Sequence, residues 1–246
     1  MDHDVEGIQA TMQDADVARL FEDRDLVSAP VIDENGKLLG RITIDDVVDV
    51  IRDEADRSLM SMAGLDEDDD IFAPATTSAQ RRAVWLGINL GTAFLASWVI
   101  GLYEATLQQV VALAVLMPIV ASMGGIAGSQ TLTIMIRGLA LGQVGPTNAR
   151  TLMIKEVLVS IMNGLMWAIV VAIIASAWFQ DIKIGAIIAA ALIINLICAA
   201  VAGFSIPLAL KRVGVDPALA GTVLLTTITD VVGFMAFLGL GTWYLL

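Results

Sequence analysis

Apolar positions are distributed unevenly along the chain. From residue 83 onward they merge into five long runs, at about 83 to 103, 108 to 140, 157 to 179, 184 to 210 and 218 to 246. Each reaches the ~20 residues that a helix needs to cross a hydrocarbon core about 30 Å thick. The pattern therefore predicts five transmembrane helices joined by four short connections. Ahead of them the periods are shorter. Ala15 to Phe21 is helical in character, Ala29 to Ile32 reads as a short strand, and Glu34-Asn35-Gly36 reads as a turn. Leu38 to Thr43 reads as a second strand, and Asp45 to Ile51 opens a helix. The expected fold is an α-helical membrane protein whose five spans follow a small α/β unit.

Charge sharpens this division. Residues 1 to 80 hold 21 Asp and Glu against 6 Lys and Arg, whereas residues 81 to 246 hold 5 against 8. A chain that is 57% hydrophobic and 16% charged is thus an acidic polar third joined to a far more apolar remainder, which excludes a single soluble domain. Net acidity argues against nucleic acid as a partner. Cys198 is the one cysteine, so neither an internal disulfide nor a cysteine metal cluster can form. The acidic start lacks the basic opening of a secretory signal, and the expectation is a cytoplasmic N-terminus. That placement puts Arg81, Arg82, Arg137, Arg150, Lys155, Lys211 and Arg212 inside and only Lys183 outside. The positive-inside rule is then satisfied, with the C-terminus outside a multi-pass protein of the cytoplasmic (inner) membrane.

Two spans carry more than apolar anchors. The second holds Pro118 and then MGGIAGSQ, Met123 to Gln130, which is expected to break or pinch a helix within the bilayer. Those glycines serve either close helix packing or pore lining. The fifth holds Asp230 near mid-membrane, within TTITDVVG. An ionised carboxylate there costs about 2.5–3.5 kcal/mol on insertion, which marks an ion or proton path; the alternative is an interhelical hydrogen bond. Asp216 and Pro217 read as an N-cap and first helical residue. Asn163, Asn195, Thr226, Thr227 and Thr229 are weaker candidates, since such groups in spans often only join helices.

In the acidic third, SAPVIDENGKLLGRITIDDVVDVI resembles the second half of a CBS motif, a module that works in pairs as a nucleotide or metal sensor. The family pattern for adenosyl nucleotides, Gly-x-x-Thr/Ser-x-x-Asp, falls on Gly40, Thr43 and Asp46. Asp46 serves equally well at the start of a helix, where negative charge is favoured. With one motif where two form the cleft, ATP binding is expected to be weak. Beyond it, Asp53, Glu54, Asp56 and the run Asp66, Glu67, Asp68, Asp69 and Asp70 form either a self-repelling linker or a cation sensor whose carboxylates are neutralised by bound divalent ions.

A CBS motif, an acidic connection, a Pro-x5-Gly-Gly-x-x-Gly-x-Gln second span and an Asp in the fifth resemble the MgtE magnesium channel family. The most specific residues are Pro118, Gly124, Gly125, Gly128 and Gln130, then TLTIMIRGLALG from Thr131 to Gly142, and later Asp216-Pro217-Ala218, Thr227, Asp230 and Gly233. The resemblance implies a homodimer in membrane lipid, with its pore along the two-fold axis and Asp230 facing a hydrated Mg2+ ion. Pro118, Gly124, Gly125, Gly128, Gln130, Thr226, Thr227 and Gly233 would line or flank that pore. It implies also that cytoplasmic Mg2+ closes the pore through a plug helix at about Arg57 to Arg81, with Asp66 to Asp70 among the sensor groups. The domains are then a CBS motif at 1–56, an acidic connecting (plug) helix at 57–82 and a transmembrane domain at 83–246. Ile126 stands where the family motif has Asn after the paired glycines.

Chemistry beyond transport finds little support in the residues. Intramembrane aspartyl proteolysis needs two carboxylates sharing a proton, and Asp230 alone lies deep in a span, while His3, the one histidine, is at the far N-terminus. The chain is read as no enzyme. Hard oxygen ligands favour Mg2+ over softer metals, and the alternative is a broader Co2+, Mn2+ or Ni2+ carrier or a proton-coupled transporter.

Overall fold

The change of composition near residue 70 is also a change of structure, for contacts divide the chain into two units, residues 1–70 and 71–246. The computed structural model describes residues 7–65, 71–145 and 147–246.

The first unit runs β1 (Ile8–Gln9), α1 (Asp14–Asp23), β2 (Ser28–Ile32), β3 (Leu38–Thr43) and α2 (Ile44–Met62). Its sheet has the order β1-β2-β3. β1 is parallel to β2, and β2 is antiparallel to β3 with Ser28 opposite Thr43. The predicted strands and helices are present; β1, two residues long, is too short to leave an alternation signal. Between β2 and β3 the Asp33 carboxylate accepts from Asn35 N–H at 2.9 Å and Lys37 N–H at 2.8 Å. Gly36 completes that turn at φ +76°, a conformation that costs glycine little. Ile8, Val17, Ala18, Phe21, Ala29 and Val47 form the core, while Leu38, Leu39, Val48 and Ile51 stay exposed.

The second unit is helical throughout: α3 (Ala75–Gly101), α4 (Glu104–Gln109), α5 (Val111–Ala140), α6 (Ala149–Phe179), α7 (Ile182–Arg212) and α8 (Pro217–Leu245). The five long helices are long and apolar enough to cross a membrane, and each matches one predicted span. The chain is a multi-pass membrane protein. α7 lies at the centre, packed on α5, α6 and α8, whereas α3 leans on α8. Helix ends follow local chemistry. The Asp216 carboxylate accepts from Ala218 N–H at 2.8 Å ahead of Pro217, as expected, and Asp181 accepts from Lys183 N–H at 2.8 Å.

Two expectations change, and one element is added. MGGIAGSQ does not break its helix: α5 is continuous for 30 residues through Pro118 and all three glycines. Neighbouring side chains fill the space beside Gly124 and Gly128, so the glycines provide room for close packing while helical hydrogen bonding continues. The segment 57–82 is not one helix. α2 ends at Met62, where Leu65 N–H donates to the Met60 carbonyl at 3.0 Å and Gly64 adopts φ +71°, a glycine-based helix stop; residues 75–82 already belong to α3. Finally, the connection after the first span contains α4, whose buried Thr106 shares a 2.8 Å hydrogen bond with Thr242 of α8.

Candidate functional site

α8 places Asp230 at the middle of its 29 residues, half-buried in the helical unit. Four residues earlier on the same face is Thr226. Thr226 joins Gly125, Ile126, Ser129, Gln130, Thr133 and Ile134 of α5 in lining an open groove of about 540 Å³. The α5 positions recur at spacings of three and four, which puts them on one helix face. That face carries a hydroxyl–amide–hydroxyl series, Ser129, Gln130 and Thr133, in a helix that is otherwise strongly apolar. Polar groups at membrane depth need water, protein or an ion as partners. The structure thus brings together Gly125, Gln130 and Thr226 from the predicted set and adds Ser129 and Thr133, which sequence reading missed. Their recurrence with Gln130 at one-turn spacing was the available signal. Ile126, 56% exposed, puts an apolar side chain where the family motif has an amide.

Other members of the predicted set sit elsewhere. Gly124, Gly128 and Gly233 are buried and receive neighbouring side chains. A Cβ on Gly128 would stand 2.8 Å from Leu225, and one on Gly233 would stand 2.6 Å from the Asn195 amide nitrogen. Pro118 is exposed within α5. Thr226 and Thr227 turn their hydroxyls onto carbonyls of their own helix, Thr227 donating to Val223 at 2.6 Å. Thr229, fully buried, donates to the Thr226 carbonyl at 3.1 Å.

Asn195 of α7 is the most deeply placed amide. It is 0% exposed and its Nδ2 donates to the Val120 carbonyl of α5 at 2.9 Å. The same side chain fills the notches at Gly124 and Gly233. Its Oδ1 is buried with no hydrogen-bond partner among the described residues, a condition that costs about 1–3 kcal/mol. Nearer the α5–α6 connection, Thr131 donates to the Glu156 carboxylate of α6 at 3.4 Å. By sequence Glu156 falls just outside the third span, since apolar residues begin after it.

Among the described residues no three Asp, Glu, His or Cys side chains converge as a metal site. Asp230 thus belongs to no such cluster among the described residues. In the first unit, Asp46 Oδ2 accepts from the Thr43 backbone N–H and hydroxyl, each at 3.0 Å. Thr43 and Asp46 thus satisfy one another as a capping box at the start of α2, and Gly40 is a β3 residue opposite Val31. The Thr43 hydroxyl, then a backbone hydrogen bond and Arg41, hold the Asp45 carboxyl below its ordinary range. Asp66, Glu67, Asp68, Asp69 and Asp70 lie outside the described residues.

Comparison with known proteins matches residues 117–240 to a family described as MgtE, divalent cation transporter, and residues 1–53 to the CBS domain. The chain is 34% identical over 236 residues to a protein named magnesium transporter MgtE from Bacillus subtilis, which covers 96% of this chain and 52% of that one. It is 32% identical over 225 residues to one of the same name from Thermus thermophilus, covering 91% and 50%. A third, from Enterococcus faecalis, is 29% identical over 230 residues, covering 94% and 51%. The chain spans about half the length of the curated relatives it matches.

Proposed function

Because the chain belongs to the MgtE family of divalent cation transporters, we propose that it moves Mg2+ across the cytoplasmic membrane along a path past Asp230. The observation that carries this reading is the polar α5 face and Thr226 in one groove, with Asp230 one turn further along α8. Mg2+ sheds water reluctantly and usually keeps several waters while touching one or two carboxylates. A hydrated ion suits a wide groove edged by hydroxyl and amide groups. It does not require the three-carboxylate cluster that is missing among the described residues.

A homodimer completes the path. Two copies related by a two-fold axis would turn the open groove into a pore and present two Asp230 carboxylates to one ion. The doubled negative charge favours a divalent cation, since a monovalent ion cancels only half of it. The N-terminus lies inside and the C-terminus outside, in keeping with the basic residues of the connections. The acidic residues Asp66 to Asp70 sense cytoplasmic Mg2+ and close the pore. No covalent chemistry is assigned to the chain. The alternative reading is a broader divalent carrier of Co2+, Mn2+ or Ni2+, or a proton-coupled transporter; the family description, divalent cation transporter, is wide enough to include the former.

Initial uptake rates of Mg2+, Co2+, Mn2+, Ni2+, Ca2+ and Na+ into liposomes containing the purified protein test the reading. Saturable Mg2+ uptake well above Ca2+ and Na+ is expected. No uptake of any divalent ion beyond that of empty liposomes would overturn it.

A further inference from the structure

Asn195 is out of place as a packing residue. It sits amid Ala191, Leu192, Leu196 and Ala199 of the central helix α7, all buried, an apolar setting in which a side chain without polar atoms would be ordinary. One side of its amide is used, Nδ2 donating to the Val120 carbonyl at 2.9 Å; the other, Oδ1, is buried and unpartnered among the described residues. A buried amide with an unmet acceptor that is kept in an apolar core calls for a reason other than stability.

Its contacts supply one. In a continuous helix the Gly124 N–H takes one lone pair of the Val120 carbonyl, and Asn195 takes the second, so this side chain is tied to α5 by a directional bond. The same Nδ2 end also occupies the notch of Gly233, where an added Cβ would lie 2.6 Å from Nδ2 and 3.0 Å from the amide carbon. Gly233 is three residues from Asp230 on α8, on the same side of that helix. One amide thus spans from α5 to the stretch of α8 that bears the candidate ion-binding carboxylate.

We propose that Asn195 is a positioning residue of the ion path: seated between Gly124 and Gly233 and bonded to the Val120 carbonyl, it sets the separation of α5 from α8 and so the placement of the Asp230 carboxylate. It does not touch the ion. The inference rests on Asp230 being in the path. Its consequence is specific: loss of the amide changes how Mg2+ is held, independently of how well the protein folds.

The test compares wild type, Asn195→Leu, Asn195→Ser and Asp230→Asn in liposomes at matched amounts of folded protein. Thermal melting is measured alongside the Mg2+ concentration that half-saturates uptake. Asn195→Leu removes both the bond to Val120 and the unmet acceptor while adding bulk, so melting is measured to separate folding from ion binding, and half-saturation is expected to rise about tenfold, as when groups that orient a metal ligand are lost. Asn195→Ser empties both notches and decides the matter by the same criterion should the leucine variant not fold. A melting change with half-saturation equal to wild type, in whichever variant folds, would overturn the inference and make Asn195 a packing residue. Asp230→Asn separates the two levels. Loss of saturable uptake there with normal half-saturation in Asn195→Leu overturns the positioning role alone, whereas normal uptake in Asp230→Asn overturns the path itself.

Discussion

At the scale of single residues, the helical unit is governed by where a Cβ fits. A Cβ on Gly203 of α7 would lie 2.8 Å from the Gly128 carbonyl oxygen and 3.2 Å from the Leu132 backbone nitrogen, whereas one on Gly125 would meet nothing within 4 Å. Backbone cannot swing aside as a side chain can. Gly203→Ala is therefore expected to destabilise by about 1–3 kcal/mol, the usual cost of overpacking, while Gly125→Ala, in open space within a helix, should be neutral or stabilise by up to about 1 kcal/mol. Melting of both variants in detergent checks the contrast, and equal losses would contradict it. Sequence could not separate these glycines. Gly124 and Gly125 are adjacent and chemically identical, yet helix rotation turns the first onto Asn195 and the second into the groove. Asp230 was legible because a charge in an apolar run stands out against its surroundings; Asn195 was legible only as one amide among several, since its burial and its unmet oxygen belong to the packed helices.

At the scale of elements, α2 shows how one short motif serves two readings. Thr43 and Asp46 fit a nucleotide pattern by spacing, but they also close a capping box, in which the Asp46 carboxylate accepts from the Thr43 backbone N–H at 3.0 Å and takes the Thr43 hydroxyl as well. Thr43→Ala is expected to cost the first unit about 0.5–2 kcal/mol, visible as a lower urea midpoint. Acid sensitivity should change as well. Because Thr43 lowers the folded pKa of Asp45, that group contributes stability above its unfolded value of ~3.9, and the contribution is lost as pH falls through the lower folded value. In Thr43→Ala the depression shrinks, so acid unfolding should begin at higher pH; an unshifted acid limb would contradict this. With Asp46 committed to the cap, ATP is expected to bind weakly, and calorimetry giving micromolar affinity lost in Asp46→Ala would refute that. Element types were readable because period and length differ sharply between the two units. Their junction was not, since helix propensity on either side says little about the stop at Gly64.

At the scale of the whole molecule, an acidic unit precedes an apolar one, and the proposed regulation by cytoplasmic Mg2+ is tested on the acidic run that ends the first. Exchange of Asp66, Glu67, Asp68, Asp69 and Asp70 for their amides is expected to weaken inhibition of uptake by Mg2+ on the cytoplasmic side; an unchanged inhibition curve would make that run a simple linker. Asp230, in the middle of α8 and one turn from the groove residue Thr226, is the charge proposed to meet a hydrated Mg2+ ion within the membrane. Asp230→Asn keeps the size of the side chain and removes that charge from every copy. The most direct measurement is Mg2+ uptake by liposomes containing wild type or Asp230→Asn at equal density of folded protein. Saturable uptake is expected to fall to the level of empty liposomes in the variant, and uptake equal to wild type would remove Asp230 from the ion path.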